Sequence, residues 1–200
     1  MTVTFFLVRH AVHDLLDKVL VGRAPHVSLS DEEGRHQAYR VAVRLARERL
    51  TAVYASPRER ARKTAQAIAD AAGLPVETAP DLDEIEIGGW TGLRFEEVAK
   101  DPSWRAWNTA RATSRPPGGE SMAEVQNRII GLFERLRAAQ PHGRVAAVSH
   151  GDVIRAALLH YLGLSLDGYA RIEISPAGIS TVAVGDWGAK VITLNERMHA

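Results

Sequence analysis

The chain has 200 residues, 46% of them apolar and 24% charged, with a net charge of +1. A length of that order predicts one ordinary domain with a sizeable core, and the near-neutral balance gives no bulk attraction for nucleic acid or an anionic membrane. With no cysteine, a disulfide framework, a thiolate nucleophile and a thiolate-bound metal are excluded.

The chain opens on Val3–Val8, VTFFLV, a nearly continuous apolar run that predicts a strand buried on both faces. It ends abruptly in Arg9 and His10, so the segment is not expected to be a signal peptide. Nothing further on is apolar for long enough to span a membrane, and a cytoplasmic protein is expected. Ser30-Asp-Glu-Glu33 is a capping box ahead of an amphipathic helix to about Leu50. Ala52–Ala55 predicts the second strand. Ser56-Pro57-Arg58-Glu59 is a second capping box, opening a helix that Gly73 ends. Leu74–Thr78 is a third strand. Leu93–Glu120, with Phe95, Trp104, Trp107 and a Pro-Pro-Gly-Gly run, is the least regular part and predicts an insert over about 93–120 within a single domain. Trp104 and Trp107, three apart, are expected to pack. Ser121-Met-Ala-Glu124 is a third capping box, with its helix to about Gln140. Arg144–Ser149 is a strand and Asp152–Leu162 a helix. Three strands are expected at the end, Ala170–Ile174, Ile179–Val184 and Lys190–Leu194. Alternating strands and helices predict an α/β fold, a three-layer αβα sandwich whose mostly parallel sheet carries an antiparallel C-terminal edge.

In open α/β sheets ligands bind beyond the C-terminal ends of the parallel strands. There this sequence gathers Arg9-His10, Ser56 with Arg60 in the next helical turn, Glu84 after the third strand, and His150-Gly151. Arginine in a first helical turn opposes the helix dipole, a choice that suits a nearby anion. Two arginines, two histidines and two helix N-termini describe a phosphate site. Arg58 and Arg62 point away from Arg60 at 100° per residue and are expected on a solvated face. Arg105, Arg111 and Arg115 fall in the insert and are expected at the surface.

Five motifs occur in order: Leu7-Val8-Arg9-His10, Ser56-Pro57-x-x-Arg60-Ala61-x-x-Thr64-Ala65, Leu82-x-Glu84-x-x-x-Gly88-x-Trp90-x-Gly92, Pro117-Gly118-Gly119-Glu120-Ser121, and Val148-Ser149-His150-Gly151. Together they resemble the histidine phosphatase superfamily, the branch of the phosphoglycerate mutases and related phosphatases, over roughly residues 3–160. The resemblance implies that His10 is a nucleophile forming a phosphohistidine, that Arg9, Arg60 and His150 hold the phosphoryl oxygens with Gly151 beside them, and that Glu84 is the general acid. It implies no metal and no cofactor. Its ring nitrogen away from phosphorus is expected to be tied to a backbone carbonyl.

The sequence departs from the family's usual Arg-His-Gly-Glu-Thr/Ser. Ala11 replaces Gly, Val12 removes an acid and His13 replaces a hydroxyl; Leu16, between Asp14 and Asp17, stands where the family often has an asparagine that touches phosphate. His13 is a candidate for the pocket wall. His10 and His13 form an H-x-x-H pair with no third ligand at sensible spacing, so no metal is expected. Beside the acid, Glu84-Ile-Glu-Ile-Gly88 lacks the polar set of the mutases, and the stretch to His150 is shorter than theirs. Both features favour hydrolysis of a small phosphorylated metabolite. The alternatives are a protein phosphohistidine phosphatase, a mutase-type transferase, and a silent phospholigand-binding protein. The expected partner is a small phosphorylated substrate, with neither nucleic acid nor membrane, and a homodimer is left open.

Overall fold

The computed structural model describes residues 1–198. The chain runs β1 (Thr2–Arg9), α1 (Glu33–Leu45), β2 (Ala52–Ala55), α2 (Glu59–Ala72), β3 (Val76–Thr78), α3 (Phe95–Val98), α4 (Pro102–Thr109), α5 (Met122–Ala139), β4 (Arg144–Ser149), α6 (Gly151–Tyr161), β5 (Ile179–Gly185) and β6 (Gly188–Glu196). The sheet order is β3-β2-β4-β1-β5-β6. The β1–β4, β2–β4 and β2–β3 pairs are parallel, while β5 joins β1 and β6 antiparallel.

β1 is apolar on both sides because it is covered on both. Val3, Phe5 and Leu7 enter a core shared with α5 and α6, and Phe6 and Val8 enter a second core shared with α1 and α2. Phe5 stacks on Phe133 of α5 with ring centroids 4.5 Å apart. Burying one such ring is worth roughly 1.5–3 kcal/mol. The two cores are the two interfaces of the three-layer sandwich. Because β1 and β4 are adjacent and parallel, with Arg9 opposite Ser149 in register, their last residues emerge together at one end of the sheet.

Several boundaries differ from expectation. α1 stops at Leu45 and tightens into a 3₁₀ turn, Ala46–Glu48, before Arg49 takes a left-handed backbone. Ser30 stands two residues before the N-cap Glu32 and accepts from the N–H of Gly34 at 2.9 Å. Of the three capping boxes expected, Ser121–Glu124 is the one that forms in full, with both reciprocal bonds present. The strand expected at Ala170–Ile174 does not form: Leu166–Arg171 is a 3₁₀ helix. It cannot join the sheet beside β1, whose two sides are taken by β4 and β5. Its carbonyls go to side chains instead, Ile172 O accepting from Arg155 at 2.9 Å and Ile174 O from Arg9 at 2.6 Å.

The insert packs through its aromatics. Trp90 meets Trp104 and Trp107 edge-on, at 5.4 and 6.2 Å. Its return to the body explains two glycine motifs. Gly88 has φ +50°, and a Cβ there would sit 2.1 Å from the Pro117 carbonyl; a Cβ on Gly119 would sit 2.3 Å from that of Glu86. Side chains at either position would force the two strands of chain apart.

Candidate active site

β1 delivers Arg9, His10 and, one turn on, His13 to the C-terminal end of the sheet. The N–H of Ala11 donates to Thr64 Oγ1 of α2 at 3.0 Å, fixing the chain where it leaves the strand. The φ of Ala11 is not positive, so alanine is tolerated in place of glycine. The Nδ1–H of His10 donates to the Ala11 carbonyl at 2.8 Å, since a carbonyl can only accept. The expected backbone tie is therefore present, and Nε2 is left bare. This unprotonated nitrogen accepts from Arg60 Nε at 3.3 Å. Burial first, then Arg60 and Arg9, hold the His10 pKa well below the usual imidazole range, so the ring is neutral.

Arg60, 1% exposed, bridges the site. One Nη donates to the Gly22 carbonyl at 2.8 Å and to His150 Nδ1 at 3.3 Å. A guanidinium cannot accept, so His150 Nδ1 is unprotonated and its Nε2–H donates to Ser56 Oγ at 2.7 Å. His150 is fully buried and likewise held neutral, by burial and then by Arg60. It is the N-cap residue of α6, whose first residue, Gly151, lies against the Arg9 guanidinium. Arg9 Nε, the second Nη of Arg60 and His13 Nδ1 are buried polar atoms with no protein partner. Leaving such donors unmet costs on the order of 1–3 kcal/mol each, so an anion seated there would relieve a standing penalty.

Glu84 completes the cluster. Its carboxylate lies 3.4 Å from His150 Nδ1 and 4.0 Å from Arg60, with the other oxygen accepting from the N–H of Ile85 at 2.9 Å. Its pKa is raised to about 7, by burial and then by the negative charge of Asp152, against the pull of Arg60 and Arg9. Arg9, His10, His13, Arg60 and Glu84 all line one cavity of about 160 Å³. His13 is 5% exposed and its ring lies 5.4 Å from that of His10. It belongs to the pocket wall, and burial pushes its pKa down to about 4. A larger cleft of about 610 Å³ runs along α2 past His26 and Lys63 and shares none of these residues. Among the described residues, no group of three or more His, Asp or Glu is placed to hold a metal ion.

Two expectations fail. Arg58 is not on a solvated face: it grips Asp83 through two bonds of 2.9 Å and donates to the Arg23 carbonyl at 2.7 Å. Arg62 is exposed as expected. Arg111 is not at the surface but 6% exposed, sandwiched between the rings of Trp107 and Tyr169 at 4.1 and 4.0 Å and donating to Asp152 at 3.2 Å. Arg115 pairs with Glu124 and Arg105 is exposed.

Sequence reasoning passed over Asp83 and Asp152, and placed Ser56 at a strand end without a role for its hydroxyl. The sequence pattern reads Ser56 as a helix cap, yet its hydroxyl serves His150, Asp83 and the N–H of Arg58 together. Asp152, which lines the cavity, looks in sequence like an ordinary acid at a helix N-terminus.

The chain matches the histidine phosphatase superfamily (branch 1) over residues 5–197. It is 32% identical to phosphoserine phosphatase 1 of Hydrogenobacter thermophilus, covering 98% of this chain and 94% of that one. It is 33% identical to a probable phosphoglycerate mutase of Erwinia tasmaniensis over 76% of this chain and 71% of the other. In structure it resembles a mycobacterial glucosyl-3-phosphoglycerate phosphatase with a TM-score of 0.88 at 27% identity, covering 98% of this chain and 99% of that one. With motifs, fold and clustered residues in agreement, the chain belongs to the histidine phosphatase superfamily.

Proposed function

We propose that the protein hydrolyses small phosphate monoesters through a phosphohistidine. The observation that carries this reading is the bare Nε2 of His10, held by the Nδ1–H bond to Ala11 and surrounded by buried, partly unmet guanidinium donors. In the first step the Nε2 lone pair attacks phosphorus, the bond to the ester oxygen breaks, and Glu84 gives its proton to the departing alkoxide. In the second, water attacks phosphorus, Glu84 takes the proton, and the P–N bond breaks to release inorganic phosphate. Arg9 and Arg60 neutralise the phosphoryl oxygens, with His150, the N-terminus of α6 at Gly151 and His13 beside them. Positioning and charge supply most of the catalysis in such a transfer. The arginines provide the neutralisation that a metal provides elsewhere, so turnover without added metal is part of the proposal.

Hydrolysis is favoured over transfer by what surrounds the acid. Ile85 and Ile87, both buried, offer no polar group to a phosphorylated acceptor. The test is release of phosphate from p-nitrophenyl phosphate together with trapping of an acid-labile phosphoryl group on His10. Neither product nor label would refute the reading.

A further inference from the structure

Beyond the phosphate clamp, the cavity wall is built from the turn after His13 and from α3. Leu16, Val19, Leu20 and Phe95 make it apolar. Two charged side chains share that wall, Asp17 and Asp152, and both are carboxylates. Asp152 is already matched, by Arg111 at 3.2 Å and Arg155 at 3.0 Å. Asp17 is different. It is exposed, lines the cavity, and makes no hydrogen bond or ion pair among the described residues. Its φ is +59°, a conformation in which aspartate and asparagine are enriched among non-glycine residues.

Lys18 and Arg94, on the neighbouring turn and helix, do not line the cavity, and four further arginines are committed elsewhere. Arg23 donates to the Glu84 carbonyl at 2.7 Å and to Glu120 at 2.8 Å. Arg58 grips Asp83, and Arg128 bonds the Asp81 carbonyl and Glu120. Arg111 is clasped between two rings behind Asp152. None of the four lines the cavity, where the only guanidiniums are those of Arg9 and Arg60. A carboxylate on the departing alcohol would therefore meet apolar side chains and a like charge, and desolvating an anion with no partner is costly. An ammonium in the same place would meet Asp17.

The geometry points to a substrate whose leaving alcohol is short, carries an amine and lacks a carboxylate: a phosphorylated amino alcohol. This inference rests on the phosphatase reading and names the substrate class of that site. A cavity of about 160 Å³ suits a phosphoryl group with only a few further heavy atoms. It also sets this chain apart from relatives named for phosphoserine and glucosyl-3-phosphoglycerate, both of which bear a carboxylate.

The experiment uses a series of short esters at neutral pH: 2-aminoethyl phosphate, n-propyl phosphate, 2-carboxyethyl phosphate and phosphoserine, the last being the first with a carboxylate added. The expected kcat/KM for 2-aminoethyl phosphate is at least tenfold above that for 2-carboxyethyl phosphate and above that for phosphoserine, with n-propyl phosphate between. Asp17→Asn keeps a residue that accepts the left-handed backbone and removes the charge, and it should narrow the amine-to-carboxylate ratio at least threefold. Equal or better turnover of the carboxylated esters, or a ratio that Asp17→Asn leaves unchanged, overturns the inference while leaving the phosphatase reading intact. If no ester and no p-nitrophenyl phosphate is hydrolysed, the phosphatase reading fails. The same four compounds titrated calorimetrically into the His10→Ala protein then decide the inference: tightest binding of the amine supports it, and tightest binding of a carboxylate overturns it.

Discussion

The Glu84 carboxylate lies 3.4 Å from the Nδ1 of His150, and Arg60 approaches both residues. One side chain is thus an acid whose proton is retained by burial and by Asp152, in contact with a histidine kept neutral by the same burial. If Glu84 protonates the leaving group, its loss should hurt most where the leaving group is poor. General acid catalysis is worth roughly 10²–10⁴-fold. Glu84→Gln is expected to lower kcat on an alkyl phosphate by that order and on p-nitrophenyl phosphate noticeably less, with a burst of p-nitrophenol if hydrolysis of the phosphoenzyme becomes limiting. Glu86→Gln, two residues along, is expected to have little effect. Equal losses on both substrates without a burst would reassign the acid.

The pKa of about 7 carries two pH signatures. Because the acid must be protonated at the start of the first step, kcat/KM on an alkyl phosphate should fall as pH rises through about 7, and Glu84→Gln should flatten that limb. Stability follows the same sign. A carboxyl whose pKa is higher folded than unfolded binds its proton more tightly in the native state, so stability is greatest below about 4.5 and declines as pH rises toward 7. Glu84→Gln has no proton to lose, and its melting temperature relative to wild type should therefore be higher at pH 8 than at pH 5. Differential scanning at the two values measures this directly.

His10→Ala should abolish turnover without unfolding the protein, because no phosphoenzyme can form. Retention of more than about a tenth of wild-type kcat would contradict covalent catalysis, whose contribution is normally far larger. Exhaustive EDTA treatment should leave the wild-type rate unchanged. Loss of activity, restored by Mg²⁺ or Zn²⁺, would show that the arginines do not suffice.

The sandwich was legible because β1 and β4 are apolar on both faces and the helices between them carry clear stop signals such as Gly73. Arg9, His10, Arg60, Glu84 and His150 were legible because each sits at the C-terminal end of a strand or within a few residues after one, and a parallel sheet brings strand ends together. What escaped was pairing. Nothing in the sequence tells that Arg58 turns to Asp83, 25 residues away, or that Arg111 crosses 41 residues to Asp152. The missing C-terminal strand has the same cause. Ala170–Ile174 has a strand's apolar spacing, but the arginines that take its carbonyls come from β1 and α6.

Ser56 offers the most searching test of that hidden pairing. Its hydroxyl is fully buried and fully used: it accepts from His150 Nε2–H at 2.7 Å and from the N–H of Arg58 at 3.2 Å, and donates to Asp83 at 3.3 Å. A hydroxyl has one donor and two acceptor sites, so no capacity remains. Ser56→Ala would strand the Nε2–H of His150 in a buried site, at a cost of about 1–3 kcal/mol. The ring can escape that cost by moving its proton to Nδ1, where it would face the Arg60 guanidinium, or by rotating away from Glu84. Either change disturbs the contact on which both steps depend. Ser56→Ala is therefore expected to lower kcat at least tenfold. The nitrogen-15 shifts of His150 should also change, from protonated Nε2 and bare Nδ1 to a mixed or reversed pattern. A purely structural role would lower the melting temperature and leave the tautomer untouched. A lower melting temperature with wild-type nitrogen shifts and wild-type kcat would show that Ser56 only fills space.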